Sequence, residues 1–224
     1  MSELTRYGYR DAISGFFEFP TENAKRLLPK HLEPLEVHHG TSILAVTAFD
    51  FNESLVGEYG EIVMAVIVAP LVKPGERLPK SAMYPYLVGT TTRAAREHAI
   101  ERWHLPHWMD DVEMAFERGA GTTTARVGLL GEPVLELTIH DHSWAPVNHL
   151  YQSFMKDGES NYLARIVMEG EQSEHEEETG RLQLFEHPFH KELSVADVYE
   201  TPFRELWMRQ GRQTFDPLIQ LETA

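Results

Sequence analysis

Between Glu61 and Val72 the chain reads Glu-Ile-Val-Met-Ala-Val-Ile-Val-Ala-Pro-Leu-Val, with no helical spacing of polar residues to interrupt it. Written as a strand, it places Val63, Ala65 and Ile67 on one face and Ile62, Met64 and Val66 on the other, so both faces are apolar. Such a strand needs cover on both sides, as in the wall of a barrel or the inside of a sandwich. The run is too short to cross a bilayer as a helix, and no membrane span is expected.

The neighbouring segments repeat the strand signal. Ser42 to Phe51 is apolar and β-branched without helical period, and turn-forming Asn52-Glu-Ser54 and Gly57 separate it from the Glu61 run. A further strand is predicted over Met83 to Val88, after the Pro/Gly loop from Val72 to Lys80. Hairpins are expected from Val112 to Arg118, Thr122 to Leu130 and Val134 to Ile139, turning at Gly119-Ala-Gly121 and Gly131-Glu-Pro133. Two more strands are expected at Tyr162 to Met168 and Arg181 to Phe185, with the acidic stretch Glu169 to Glu178 as a solvated loop tip between them.

Helical signals are few. Phe19 to Pro29 carries Ala24, Leu27 and Leu28 on one face with Thr21 as the expected cap, and Thr90 to Ile100 joins threonine caps to an alanine-rich interior in which Arg93 and Glu97 pair one turn apart. The pattern is that of a mainly β (α+β) chain, read as one domain over residues 1–224.

Charge narrows the partners. With 35 acidic and 20 basic residues the net charge is -15, which repels nucleic acid and anionic membrane surfaces and leaves a small molecule as the expected partner. The first residues carry no apolar signal segment and the chain has no cysteine, so a reducing, cytoplasmic setting is expected. A metal would therefore need histidine and carboxylate ligands. His140 and His142 share a strand face with Glu136, and His149 follows, but no complete ligand set is readable; neither a metal nor any other cofactor is expected.

Several segments in order resemble one family. Arg10, the helix ending Leu27-Leu-Pro29 with Leu32-Glu-Pro-Leu-Glu36 behind it, the strand before Asp50, Ser54-Leu-Val-Gly-Glu-Tyr-Gly-Glu61 leading into the apolar strand, and Arg96-Glu97 resemble the acetoacetate decarboxylase family. Asn161-Tyr-Leu-Ala-Arg-Ile-Val167 and Arg181-Leu-Gln-Leu-Phe185 are similar to its closing strands. The resemblance implies an antiparallel, cone-like β-barrel with a few short helices, an interior pocket and assembly into homo-oligomers.

That family works through a lysine, after the Arg-Glu helix, that forms an imine with a ketone. Here the stretch reads Arg96-Glu-His-Ala-Ile-Glu-Arg-Trp-His-Leu-Pro-His-Trp108, and His107 and Trp108 follow the matching Pro106. The six lysines, at 25, 30, 73, 80, 156 and 191, all lie in polar or Pro/Gly-rich contexts, which disfavours imine chemistry. The family's second pocket glutamate is also not evident, since the equivalent strand reads Ile43-Leu-Ala-Val46.

By resemblance, Arg10 faces the substrate and Glu61 is the pocket carboxylate. Arginine suits a substrate carboxylate, and a glutamate among apolar residues suits proton transfer. His104 and His107 are candidate acid–base groups, with Trp103 and Trp108 as apolar walls. Two functions remain open at this point: a lyase or decarboxylase-type enzyme acting on a small oxo-acid or related carboxylate without a lysine imine, or a non-catalytic small-molecule binding protein that keeps the pocket.

Overall fold

The computed structural model describes residues 4–190 and 192–222. Strand β1 (Thr5–Pro20) leads into helix α1 (Thr21–Leu27), followed by β2 (Glu36–His38), β3 (Thr41–Glu53), β4 (Tyr59–Val68) and β5 (Ser81–Thr90). Helix α2 (Arg93–Trp103) precedes β6 (Glu113–Arg118), β7 (Thr122–Leu129) and β8 (Glu132–His140). Then come β9 (Trp144–Asp157), β10 (Ser160–His175), β11 (Arg181–Leu184), β12 (Arg204–Phe215) and β13 (Ile219–Leu221).

The large sheet runs β1-β12-β10-β9-β5-β4-β3-β2, and β1 also pairs with β3, so the seven strands from β1 round to β3 close on themselves as a barrel. The expected antiparallel order holds except at one seam, where β5 and β9 run parallel over Ser81–Met83. A four-stranded sheet, β11-β8-β7-β6, packs against the outside of the barrel wall.

This arrangement explains the doubly apolar strand. Ile62, Met64 and Val66 face outward into a cluster with Leu44, Val46 and the small sheet's Leu135 and Leu137, all essentially inaccessible to water. The other face of β4 looks into the barrel. Each face meets a different apolar layer, so no polar alternation is tolerated along the strand.

Three expectations are corrected in detail. The strand stops at Val68 rather than Val72, because Pro70 has no N–H to pair and Leu71 and Val72 are exposed. Only the end of the acidic stretch, Glu176 to Glu178, is an exposed loop: β10 runs to His175, and Glu169 and Glu171 line up on its solvent side against Arg212 and Arg209 of β12. Thr21 does not cap α1; its hydroxyl is instead within 2.9 Å of the Ser42 hydroxyl. Thr92 does cap α2, accepting from the Ala95 N–H at 3.2 Å.

β1, β9 and β12 have no counterpart in the sequence reading, although they form much of the barrel. One irregularity crosses β1, β12 and the neighbouring β10. The β1–β3 register shifts around Tyr9 and Arg10, the β10–β12 register shifts between Glu169 and Glu171, and Gln210 of β12 adopts a left-handed φ of 49°. Before the shift Tyr7 and Tyr9 point inward, and after it Ala12, Ser14 and Phe16 do. A bulge reverses the facing of every residue beyond it.

Glu205 of β12 ties the barrel to the small sheet. Its side chain is fully buried; one oxygen accepts from the Thr179 N–H at 2.8 Å, the Gly180 N–H at 2.7 Å and the Thr179 hydroxyl at 3.0 Å, and the other accepts from the His140 N–H at 2.8 Å. Glu205→Ala strands several buried donors and is expected to lower unfolding stability by about 3 kcal/mol or more in urea titration.

Candidate functional site

The barrel interior retains a cavity of about 90 Å³. Its wall is mostly soft and apolar: Met83, Met155, Met168 and Met208 project into it from four strands, and Trp103 at the end of α2 and Leu105 reach it from outside the sheet. Methionine side chains adapt in shape, so the space can adjust to an occupant. The volume is smaller than the roughly 150 Å³ apolar cavity that takes up benzene, which points to a molecule of a few carbons.

Among the described residues Glu61 is the one charged side chain in that wall. It opens β4 on the inward face, opposite Phe49 of β3 and Thr90 of β5, and is 8% exposed. Burial alone pushes its carboxyl up to about 8, with no hydrogen bond from a described residue to hold the anion. Near neutral pH the group is therefore a carboxylic acid, able both to donate and to accept a proton.

Beside it lies a buried chain of polar groups. The Trp103 indole N–H donates to the Tyr7 hydroxyl at 2.8 Å, and that hydroxyl is 2.8 Å from His98 Nε2. The Tyr7 oxygen thus accepts from the indole, and the direction of its hydrogen bond with His98 follows the imidazole tautomer. Burial raises Tyr7 to about 12 and keeps it protonated. The chain fixes the plane of Trp103 against the cavity.

Gln213 of β12 is another polar group without a partner among the described residues. It is 6% exposed, lines the same cavity, and its side-chain oxygen is buried with no hydrogen bond. Ser14 and Thr47, also in the wall, are satisfied by each other at 2.9 Å. Glu61, Gln213, Tyr151 and Ser153 are thus the polar side chains of the wall with no hydrogen bond among the described residues. Gln213 was not foreseen, because in Arg209-Gln-Gly-Arg-Gln-Thr-Phe215 nothing distinguishes it from Gln210.

Of the residues singled out from sequence, Glu61 and Trp103 come together and the rest do not. Arg10 lies on the outer surface, bonded to Asp50 at 3.1 Å and Glu58 at 2.5 Å, so it does not share the cavity with Glu61. In a regular strand Arg10 would share the face of Ala12 and Ser14; the bulge turns it out. His104 ends α2 in the left-handed conformation, stacks on Tyr162 at 4.6 Å between ring centres, and its Nδ1 is 3.3 Å from Asp157. It does not line the cavity. His107 and Trp108 line a different cavity, on the outer side of β5. Among the described residues no three histidine, aspartate or glutamate side chains converge as a metal site. Lys191 lies outside the described residues; none of the other five lysines lines the barrel cavity.

No protein-family model matches the sequence, and no curated protein is similar to it. Solved structures are similar in three dimensions. An acetoacetate decarboxylase superposes with a TM-score of 0.67 at 12% identity, over 99% of this chain and 90% of that one. The fold is that of acetoacetate decarboxylase. The enzyme of that name from Legionella pneumophila gives 0.65 at 14% identity over 96% and 87% of the two chains. MppR, an enduracididine biosynthesis enzyme solved in complex with pyruvate, gives 0.64 at 10% identity over 99% and 91%. No helix is long and apolar enough to cross a membrane.

The Glu61 environment has a consequence for stability. The folded chain keeps this proton up to about pH 8, whereas the unfolded chain releases it near 4.5, so the group's contribution is fully present below the lower value and is lost as pH rises through the upper one. Glu61→Gln, which cannot ionise, is expected to remove that slope and to be more stable than the parent above pH 8. Urea unfolding of both proteins across this range is the check, and parallel curves would contradict the assignment.

Proposed function

We propose that the barrel binds a short-chain β-keto acid and decarboxylates it without an imine, with Glu61 as the proton-transfer group and Gln213 as the hydrogen-bonding anchor. The observation that carries this reading is a carboxyl that stays protonated to about pH 8 and faces a mostly apolar cavity without a hydrogen-bond partner among the described residues.

The medium that keeps Glu61 neutral acts on a bound acid as well. An isolated carboxylate is disfavoured in that wall, so the substrate is held as the neutral acid. In that form Glu61 relays the proton: it gives its own to the β-carbonyl oxygen and takes the substrate's acid proton on its other oxygen while the bond to the carboxyl carbon breaks; the electron pair of that bond forms the new C=C bond, and carbon dioxide and an enol result. Glu61 then gives its proton to the enol carbon and takes the enol hydroxyl proton on its other oxygen, which yields the ketone and regenerates the acid. Gln213 hydrogen-bonds the carboxyl end, and Trp103 and the methionines exclude water.

The role given to His107 by the sequence does not enter this scheme, since its ring lies at another cavity. Arg10 likewise has no part in it. With no described lysine at the cavity, borohydride in the presence of substrate is expected to trap no adduct. We place the activity in a reducing compartment on the absence of cysteine, and retain assembly into homo-oligomers as an expectation from the fold.

The test is carbon dioxide release from four- to six-carbon β-keto acids by the parent protein and by Glu61→Gln. Loss of at least about a hundredfold in turnover is expected in the variant, with the parent's rate declining above about pH 8 as Glu61 ionises. Equal turnover by the two proteins would remove Glu61 from the chemistry. A ligand-induced rise in Tm without any turnover would instead establish a non-catalytic carrier.

A further inference from the structure

A second cavity, of about 170 Å³, lies outside the barrel wall and is not used by the reaction above. Two features of the chain build it. The segment after α2 runs along β5 as an added strand: the Val88 N–H donates to the Pro106 carbonyl at 2.9 Å and the Trp108 N–H to the Val88 carbonyl at 2.8 Å. In β5 itself the register with β4 steps from Leu87 to Pro85, leaving Tyr86 as an extra residue. Pro85 therefore faces the barrel interior while Tyr86 and Leu87 both line the outer cavity.

Between these walls sit polar groups with nothing to bond. Both ring nitrogens of His107 and the Trp108 indole nitrogen are buried without a hydrogen-bond partner. The Tyr86 hydroxyl donates to the Met64 sulfur at 3.7 Å, a weak contact. Each such group left alone is unfavourable by about 1–3 kcal/mol, so an occupant is expected. The rest of the wall is flat and apolar, with Phe189 5.6 Å from Trp108 between ring centres.

The inventory of groups defines the occupant. Burial, with some help from Arg96, lowers His107 to about 4, so its ring is neutral and offers one N–H and one lone pair. Trp108 and Tyr86 add donors. The Arg96 guanidinium is engaged by Asp111, and the exposed Glu192 carboxylate at the rim opposes an anion. No buried carboxylate in the wall answers a cation. We propose that this cavity is a second ligand site, for an uncharged, ring-sized molecule that presents a hydrogen-bond donor and acceptor side by side, as a carboxamide or lactam does.

Benzamide is a suitable probe, since its ring fits the aromatic walls, its carbonyl accepts from the donors and its NH₂ donates to the His107 lone pair. The four tryptophans give four indole signals in a nitrogen-15 spectrum, and Trp108→Phe identifies the relevant one. On titration the Trp108 signal is expected to move to saturation with a Kd on the order of 1 mM, while the Trp103 signal stays in place. Toluene, which has the ring without the donor and acceptor, and benzoate, which is charged, are expected to bind at least about tenfold more weakly. His107→Leu should reduce benzamide binding at least about tenfold, with His107→Asn as the substitute where the leucine variant does not fold. Glu61→Gln should leave benzamide binding unchanged. A Trp108 signal that does not move up to the solubility limit of benzamide would show a cavity filled by water alone and overturn the proposal. Equal binding of toluene would do the same, as would a shift confined to Trp103.

Discussion

The structure depends on the closure of the barrel through β1, which hydrogen-bonds along both edges. Ala12 sits between Met208 of β12 and Phe49 of β3, and both pairings run on to Phe16, beyond which β3 alone stays paired to Pro20. Closure removes exposed edges from these strands and leaves an interior that side chains must fill. It also forces neighbouring strands to share their irregularities. The shift at Tyr9–Asp11 of β1 is matched by the left-handed Gln210 of β12 and by Gly170 of β10, where a Cβ would come within 2.9 Å of the Gly211 Cα. This single line of distortion turns Arg10 out to solvent and Gln213 in to the cavity.

Placing Glu61 inside that enclosure decides its chemistry. An anion there would have neither a counter-ion nor a hydrogen bond, so the carboxyl holds its proton well above the usual carboxylate range. The other buried glutamate, Glu205, is by contrast given donors and accepts four hydrogen bonds. Of the two buried glutamates, one is satisfied by the protein and the other has no hydrogen-bond partner among the described residues.

Much of the frame was legible in the chain. The doubly apolar β4, the three-strand run from Glu113 to His140 and the Thr92-capped helix all follow from local pattern, because period and capping act over a few residues. The acidic residues of β10 misled for the opposite reason: their partners, Arg209 and Arg212, are about forty residues away in sequence, and charge density alone suggests a loop. The site divided along the same line. Glu61 was legible from its position at the head of an apolar strand. His107 was not, because which side of β5 its loop follows is fixed by two backbone hydrogen bonds to Val88.

By itself the sequence determined the β-rich class, the strand that had to be covered on both faces, the polyanion-repelling charge and the absence of a lysine in the loop after the Arg-Glu helix. These rest on composition and on short-range periodicity. Only the tertiary structure decided which polar side chains see the interior: Glu61 and Gln213 inside, Arg10 outside, His107 and Trp108 behind the wall. The physical reason is that the facing of a strand residue alternates, so one bulge reverses everything beyond it, and bulges in a closed barrel are set by the register of strands that meet only when the chain has folded.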